Sequence, residues 1–109
     1  MRDSRKSQML WNNYRYRVED DSIVIEDYCG EELDVSIPAE IEGFPVKKIA
    51  PEAFSIHGAM IERVEVPGSV TDIGDGAFKM CMSLEELVLQ EGVCRIGENV
   101  LLVTAVTQL

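Results

Sequence analysis

The sequence predicts an α+β, mostly β solenoid: a right-handed coil of short parallel strands, with short helical turns opposite them and a β-hairpin cap at the N-terminus. Two observations carry this prediction. Residues 49–54 read Ile-Ala-Pro-Glu-Ala-Phe, and residues 73–78 repeat the motif as Ile-Gly-Asp-Gly-Ala-Phe. Ile49, Ile73 and Ile96 then follow one another at intervals of 24 and 23 residues. A fixed period with apolar residues in phase is typical of coils that stack their apolar rows.

The length of the period indicates which class of solenoid this is, because repeats of about 20–29 residues are typical of leucine-rich-repeat solenoids. Each repeat also contains an alternating stretch, Val-Glu-Val at 64–66 and Leu-Val-Leu at 87–89. Alternation places successive side chains on opposite faces of a strand. We therefore expect one short strand in each unit, with its flanking residues in the core and its middle residue outside.

Short helical turns are expected opposite these strands. Pro51 suits the first position of a helix, where its missing N–H costs nothing. Asp75 takes the equivalent place in the next unit, where a carboxylate favours a helix N-terminus. The Ala-Phe pairs at 53–54 and 77–78 follow these turns. Their phenyl rings are expected to stack in the core.

The N-terminal part predicts the cap. Residues 14–18 and 22–26 alternate with period two on either side of the polar turn 19–21, which is the pattern of a β-hairpin. Residues 34–37 predict a further short strand that ends at Pro38, since proline cannot donate to a ladder.

The domain prediction follows from these elements. Residues 1–12 are expected to be a flexible leader, and residues 13–109 a single domain. In the third unit the Ala-Phe position is occupied by Val100-Leu101, so that repeat is degenerate. The domain divides into a capping hairpin with the segment leading into the coil (13–45), repeat 1 (46–69), repeat 2 (70–92) and the degenerate repeat 3 (93–109).

Charge excludes some partners. The 109 residues have a net charge of −10, and residues 19–42 hold ten acids and no base. Nucleic-acid binding requires clustered lysine and arginine, so no nucleic-acid partner is expected.

No apolar run approaches the roughly 20 residues that cross a bilayer, and no signal peptide is recognisable, so no membrane insertion is expected. Taken literally the sequence predicts a cytoplasmic protein; as a piece of a longer chain it predicts a cell-surface or secreted one.

No catalytic, cofactor or metal site is predicted. Cys29, Cys81 and Cys94 form no CxxC pair, and their odd number favours reduced thiols. A zinc site needs four clustered ligands, and the single histidine, His57, has no partner at readable spacing. Calcium binding by residues 19–21 is an open alternative, although the spacing is not that of an EF-hand. No nucleophile or phosphate-binding motif is present.

The repeats resemble the BspA-like leucine-rich repeats. The resemblance rests on residues 76–84, 87–89, 92–93 and 96–97, together with Ser-Ile-Pro at 36–38 and Gly-Phe-Pro-Val at 43–46. It implies coils that each give one short strand to a parallel sheet, with a short helix or turn opposite. It also implies that Cys81 packs in the core. The family consists chiefly of bacterial and protist surface proteins, several of them adhesins.

Three classes of function can be compared on the sequence: a protein-binding module, a self-associating protein and an enzyme. The repeats favour a non-enzymatic protein-binding module whose sheet face, mostly acidic, complements a basic or amide-rich protein partner. The outward strand residues predicted to form this face are Asp34, Ser36, Arg63, Glu65, Glu86, Val88 and Gln90. The alternative is a structural, self-associating protein, a homodimer formed through its apolar C-terminal end. The residues predicted for that contact are Leu101, Leu102, Val103 and Val106. An enzyme is disfavoured because no catalytic motif is present.

Overall fold

A computed structural model of the chain describes residues 9–55 and 58–101. Within these ranges the chain forms ten strands and no helix. The strands are β1 (Met9–Trp11), β2 (Tyr14–Glu19), β3 (Ser22–Tyr28), β4 (Asp34–Ser36), β5 (Glu40–Ile41), β6 (Phe44–Ile49), β7 (Arg63–Val66), β8 (Asp72–Ile73), β9 (Glu86–Leu89) and β10 (Arg95–Ile96). The predicted mostly β solenoid is confirmed.

The strands form two sheets on different sides of the coil. The long sheet has the order β1-β2-β3-β6-β8-β10, with β5 paired to β6, and the short sheet has the order β4-β7-β9. Along β3-β6-β8-β10 in the long sheet, and throughout the short sheet, neighbouring strands are parallel, whereas β5 pairs antiparallel with β6. Each full coil therefore contributes two strands, β6 and β7 in one and β8 and β9 in the next, where one strand per coil was expected.

The predicted capping hairpin is confirmed and extends further than expected. Strands β2 and β3 pair antiparallel, with Glu19 opposite Ser22. The two residues between them, Asp20 and Asp21, have φ values of +52° and +56°. Two successive positive φ values are typical of the type I′ turn, whose twist matches that of the flanking strands. Strand β3 then pairs parallel with β6 and so begins the stack of coils.

The predicted leader differs from the structure over its last residues. Residues 9–11 form β1, which pairs antiparallel with β2 and places Trp11 opposite Tyr14. Asn12 and Asn13 make the turn, with Asn12 at a φ of +52°. Asparagine tolerates this conformation, which explains a two-residue hairpin here. Residues 1–8 lie outside the described residues.

The predicted helical turns are not confirmed. The segments after β6 and β8 are turns closed by bonds over three residues, from the Ala53 N–H to the Ala50 carbonyl and from the Ala77 N–H to the Gly74 carbonyl, both 3.2 Å. Glu52 and Gly76 lie inside these turns with φ values of +60° and +63°. A left-handed residue ends any right-handed helix, so neither segment can propagate one.

An aromatic stack runs through the core along the coil axis. The rings of Tyr28 and Phe54 have centroids 5.1 Å apart, and those of Phe54 and Phe78 are 4.9 Å apart. Backbone bonds keep the coils in phase, since the N–H of each of these three residues donates to a carbonyl one coil further on, at Ala53, Ala77 and Val100. The predicted packing of the two phenylalanines is confirmed, with Tyr28 as an additional member.

Candidate functional site

The short sheet contains six of the seven residues that were predicted to form a binding face, and the seventh, Gln90, directly follows β9. In its register Asp34 lies beside Arg63 and Arg63 beside Glu86, which makes one row across three strands. Ser36, Glu65 and Val88 make a second row two residues further on. The intervening Val35, Val64 and Leu87 are at most 2% exposed and point into the core. The face made by Asp34, Ser36, Arg63, Glu65, Glu86, Val88 and Gln90 is called the acidic face.

Arg63 is the centre of the acidic face. Its guanidinium contacts Asp34 at 3.3 Å, Glu86 at 3.2 Å and Glu65 at 3.6 Å. The hydrogen bond to Asp34 is the largest cause that raises the pKa of Arg63, and the charges of Glu86 and Glu65 act in the same direction. One cation thus organises three carboxylates from three coils. The group keeps a net negative charge, which a basic partner would neutralise.

Val88 of the second row and Gln90, which follows the end of β9, add an apolar and a polar element. Gln90 donates a hydrogen bond from its Nε2 to the Glu65 carboxylate, which fixes that side chain between Arg63 and Gln90. Val88 lies beside Glu65 and is half-buried. The acidic face therefore combines ordered carboxylates around Arg63 with one half-buried apolar side chain, Val88.

A second charged surface was missed by sequence reasoning. On the long sheet the register aligns Arg17, Val24, Lys48, Asp72 and Arg95 in one row. The ion pairs there are Arg17–Glu26 at 2.7 Å, Lys48–Glu19 at 3.6 Å and Arg95–Asp72 at 4.0 Å. The sequence did contain a pattern that could have predicted this charged row, because a charged residue precedes each isoleucine at positions 49, 73 and 96. These charges are largely satisfied by one another.

The last described coil has an open apolar end. A pocket of about 340 Å³ is lined there by Leu87, Leu89, Ile96, Val100 and Leu101. Ile96 is 52% exposed, whereas Ile73 one coil earlier is 2% exposed, because no further coil covers it among the described residues. Leu101, predicted for self-association, packs against the core at this end. The other three predicted residues, Leu102, Val103 and Val106, lie outside the described residues.

The structure also describes the three cysteines and the acidic turn that the sequence singled out. Cys29, Cys81 and Cys94 are free thiols, and Cys81 is buried as expected, donating from Sγ to the Phe54 carbonyl at 3.4 Å. Burial raises the pKa of the Cys81 thiol to about 12, so it stays protonated.

Within residues 9–55 and 58–101, no three potential metal ligands converge, and Glu19 of the 19–21 turn pairs with Arg17 and Lys48. His57 lies outside those ranges. No described helix is long and apolar enough to cross a membrane.

A family model identifies the repeats. The model described as "BspA type Leucine rich repeat region (6 copies)" matches residues 22–109, which covers the capping strand β3 and every coil. No curated protein matches the sequence.

Solved structures of three bacterial proteins are similar to the chain. A leucine rich cell surface protein from Faecalibacterium prausnitzii superposes with a TM-score of 0.83 at 27% identity, over 94% of this chain and 30% of that one. The leucine rich repeat protein of T. pallidum has a TM-score of 0.74 at 33% identity, over 82% and 42% of the two chains. One from Bacteroides capillosus has a TM-score of 0.74 at 30% identity, over 84% and 72%. The chain spans less than half the length of the first two.

Proposed function

Because this chain belongs to the BspA type leucine rich repeat family, we propose that it is a non-enzymatic protein-interaction module whose acidic face binds a basic protein surface. The observation that supports this most is the ordered cluster of Arg63 with Asp34, Glu65 and Glu86 on adjacent parallel strands. The side chains are held by one another and by the register, so binding loses little side-chain entropy. Their excess of negative charge steers a cationic partner towards this side of the solenoid.

Reversing charge on the acidic face should abolish most of the binding. In the double variant Glu65→Lys, Glu86→Lys the carboxylates next to Arg63 become cations, and we expect capture of the protein partner to fall by about tenfold or more. The measurement is capture by the immobilised chain from an extract of the source cells or their host, with the captured protein identified by mass spectrometry and its affinity then titrated at two salt concentrations.

The matched control is Glu40→Lys, Glu42→Lys, which makes the same change in net charge at two exposed acids around β5, outside the acidic face. Its affinity should stay close to that of the unmodified chain. Equal loss in both double variants would show that net charge alone drives capture. No loss in either would remove the acidic face from the proposal.

The second candidate function is self-association through the open end. The observation that favours it is the exposure of Ile96 at the mouth of the apolar pocket formed by Leu87, Leu89 and Val100. Burying this apolar surface against a second copy would remove it from water, which is the main driving force for association. The chain would then form a homodimer and keep the acidic face for its partner.

Light scattering after size-exclusion chromatography tests the dimer. The candidate predicts twice the chain mass of 12.2 kDa, and a return to the single mass in Ile96→Glu, which places a charge in the contact. The control Met60→Glu introduces the same charge at an exposed residue away from this end. A single mass for the unmodified chain at all concentrations contradicts the candidate.

For cellular location, we propose the cell surface over the cytoplasm. The support is that the similar F. prausnitzii protein is a cell surface protein. Accessibility of the chain to protease added to intact source cells tests this placement, and protection from protease until the cells are lysed would contradict it.

A further inference from the structure

A polar pocket lies at the opposite end of the solenoid from the open apolar end. It has a volume of about 400 Å³ and is lined by Trp11, Asn12, Asn13, Tyr28, Glu32 and Ser36, among others. It forms where the β1–β2 hairpin meets the first strand of the short sheet. We propose that this pocket binds a neutral sugar. The proposal is independent of the partner of the acidic face, although Ser36 belongs to both surfaces.

The hairpin supplies an aromatic wall. Trp11 lies directly opposite Tyr14 across a two-residue turn, so both side chains point to the same side of the ribbon. Tyr14 is buried and its ring lies 5.5 Å from that of Tyr28, at an angle of 55°. Trp11 packs against this cluster but is only half-buried, which leaves part of the indole facing the pocket.

The Tyr28 hydroxyl and the Asn13 amide of the pocket lie close together. The Tyr28 hydroxyl accepts a hydrogen bond from the Glu32 N–H at 3.1 Å, which fixes the loop beside it. A Cβ on Gly30 would lie 2.5 Å from the Tyr28 hydroxyl and 2.7 Å from Asn13 Nδ2, so glycine allows these two groups to converge.

The remaining polar side chains have no protein partner among residues 9–55 and 58–101. The amides of Asn12 and Asn13, the Glu32 carboxylate and the Ser36 hydroxyl make no side-chain hydrogen bond or ion pair there. All four side chains are exposed and therefore hydrated, so a polar ligand in the pocket can replace their waters with its own hydrogen bonds.

The donor set selects the class of ligand. Amide, hydroxyl and carboxylate groups together donate to and accept from the adjacent hydroxyls of a sugar, and the exposed indole offers an apolar surface to its C–H face. An anionic ligand is disfavoured because the pocket is lined by a carboxylate and by no lysine or arginine. A cation would use Glu32 and the aromatic wall, and would leave the two amides without a role.

The single tryptophan of the chain makes the test direct, because Trp11 is itself part of the pocket. The methyl glycosides of glucose, galactose, mannose and N-acetylglucosamine are titrated while indole fluorescence and the indole N–H resonance are followed. At least one glycoside should give a saturable change, with a Kd of about 1–10 mM as expected for a small open site. The methylamide of N-acetyllysine serves as the cationic probe.

Two variants locate the binding. Glu32→Gln should lower the affinity for the sugar about tenfold, because a neutral amide replaces a charged hydrogen-bond acceptor. Glu31→Gln makes the same change at the adjacent exposed acid and should leave the affinity unchanged. Glu65→Lys, Glu86→Lys should also leave it unchanged, so failure of the acidic face and failure of the pocket are distinguishable. The proposal is overturned if no glycoside perturbs the indole, if only the lysine derivative does, or if Glu32→Gln and Glu31→Gln behave alike.

Discussion

Replacing Phe54 with alanine is expected to lower the free energy of unfolding by about 3–5 kcal/mol. The side chain is fully buried and lies in the middle of the aromatic stack, between Tyr28 and Phe78. Its loss would leave a cavity shared by three coils. Since the stability of a small domain is about 5–15 kcal/mol, urea titration followed by circular dichroism should show a strongly reduced midpoint.

Phe44→Ala is the matched control. Phe44 is half-buried at the start of β6 and packs at the margin of the core. Its loss should cost about 1 kcal/mol, because part of the ring is already in water. Phe54→Leu keeps most of the volume and should fall between the two, which keeps the measurement readable if the alanine variant does not fold. Equal costs at positions 44 and 54 would contradict a stack that joins the coils.

Replacing Gly74 with alanine is expected to cost about 2–3 kcal/mol, through overpacking between coils. A Cβ at this position would lie 2.5 Å from the Pro51 nitrogen and 2.9 Å from the Ile49 carbonyl oxygen, both backbone atoms of the preceding coil. Backbone cannot move aside as a flexible side chain can. The Gly74 N–H also donates to the Ile49 carbonyl at 2.7 Å, so separating the coils would break that bond. Thermal unfolding measures the loss.

Gly76→Ala in the same turn is the control for conformational strain. Gly76 has a φ of +63°, but an added Cβ would be 3.4 Å from its nearest neighbour, the Cγ of Glu52. Alanine there bears only the cost of the left-handed conformation, about 1 kcal/mol. A larger loss at Gly76 than at Gly74 would show that turn conformation, and not contact between coils, limits stability.

The sequence predicted the features that depend on period. In-phase isoleucines and Ala-Phe pairs recur because each coil must place the same side chain over the same neighbour. The hairpin was predicted from the alternation of apolar and polar residues on either side of an acidic turn. The features that depend on backbone conformation were missed. The sequence Pro51-Glu52 predicted a helix start, but Glu52 adopts a positive φ because the coil turns there. Strands β8 and β10 have two residues each, too few to show an alternating pattern.

Of the candidate sites, the acidic face could be predicted from the sequence and the polar pocket could not. The acidic face was predicted residue by residue, because outward positions of parallel strands follow directly from the repeat. The ion pairs of Arg63 with Asp34 and Glu86 depend on inter-strand register, which the sequence does not specify, whereas Glu65 lies on the same strand as Arg63. The polar pocket was not predicted, because residues 9–11 were interpreted as leader. The two asparagines between Trp11 and Tyr14 are typical of a tight hairpin turn and were the available signal.

Site-specific photocrosslinking from the acidic face tests directly whether this face binds a basic protein. A benzophenone amino acid is placed at Val88, beside Glu65 on that face, and in a second variant at Lys47, an exposed residue of the long sheet. We expect a discrete adduct with one basic protein from position 88, lost when Glu65 and Glu86 are changed to lysine, and no such adduct from position 47. The same adduct from position 47, or its persistence in the charge-reversed variant, would show that the acidic face is not the binding surface.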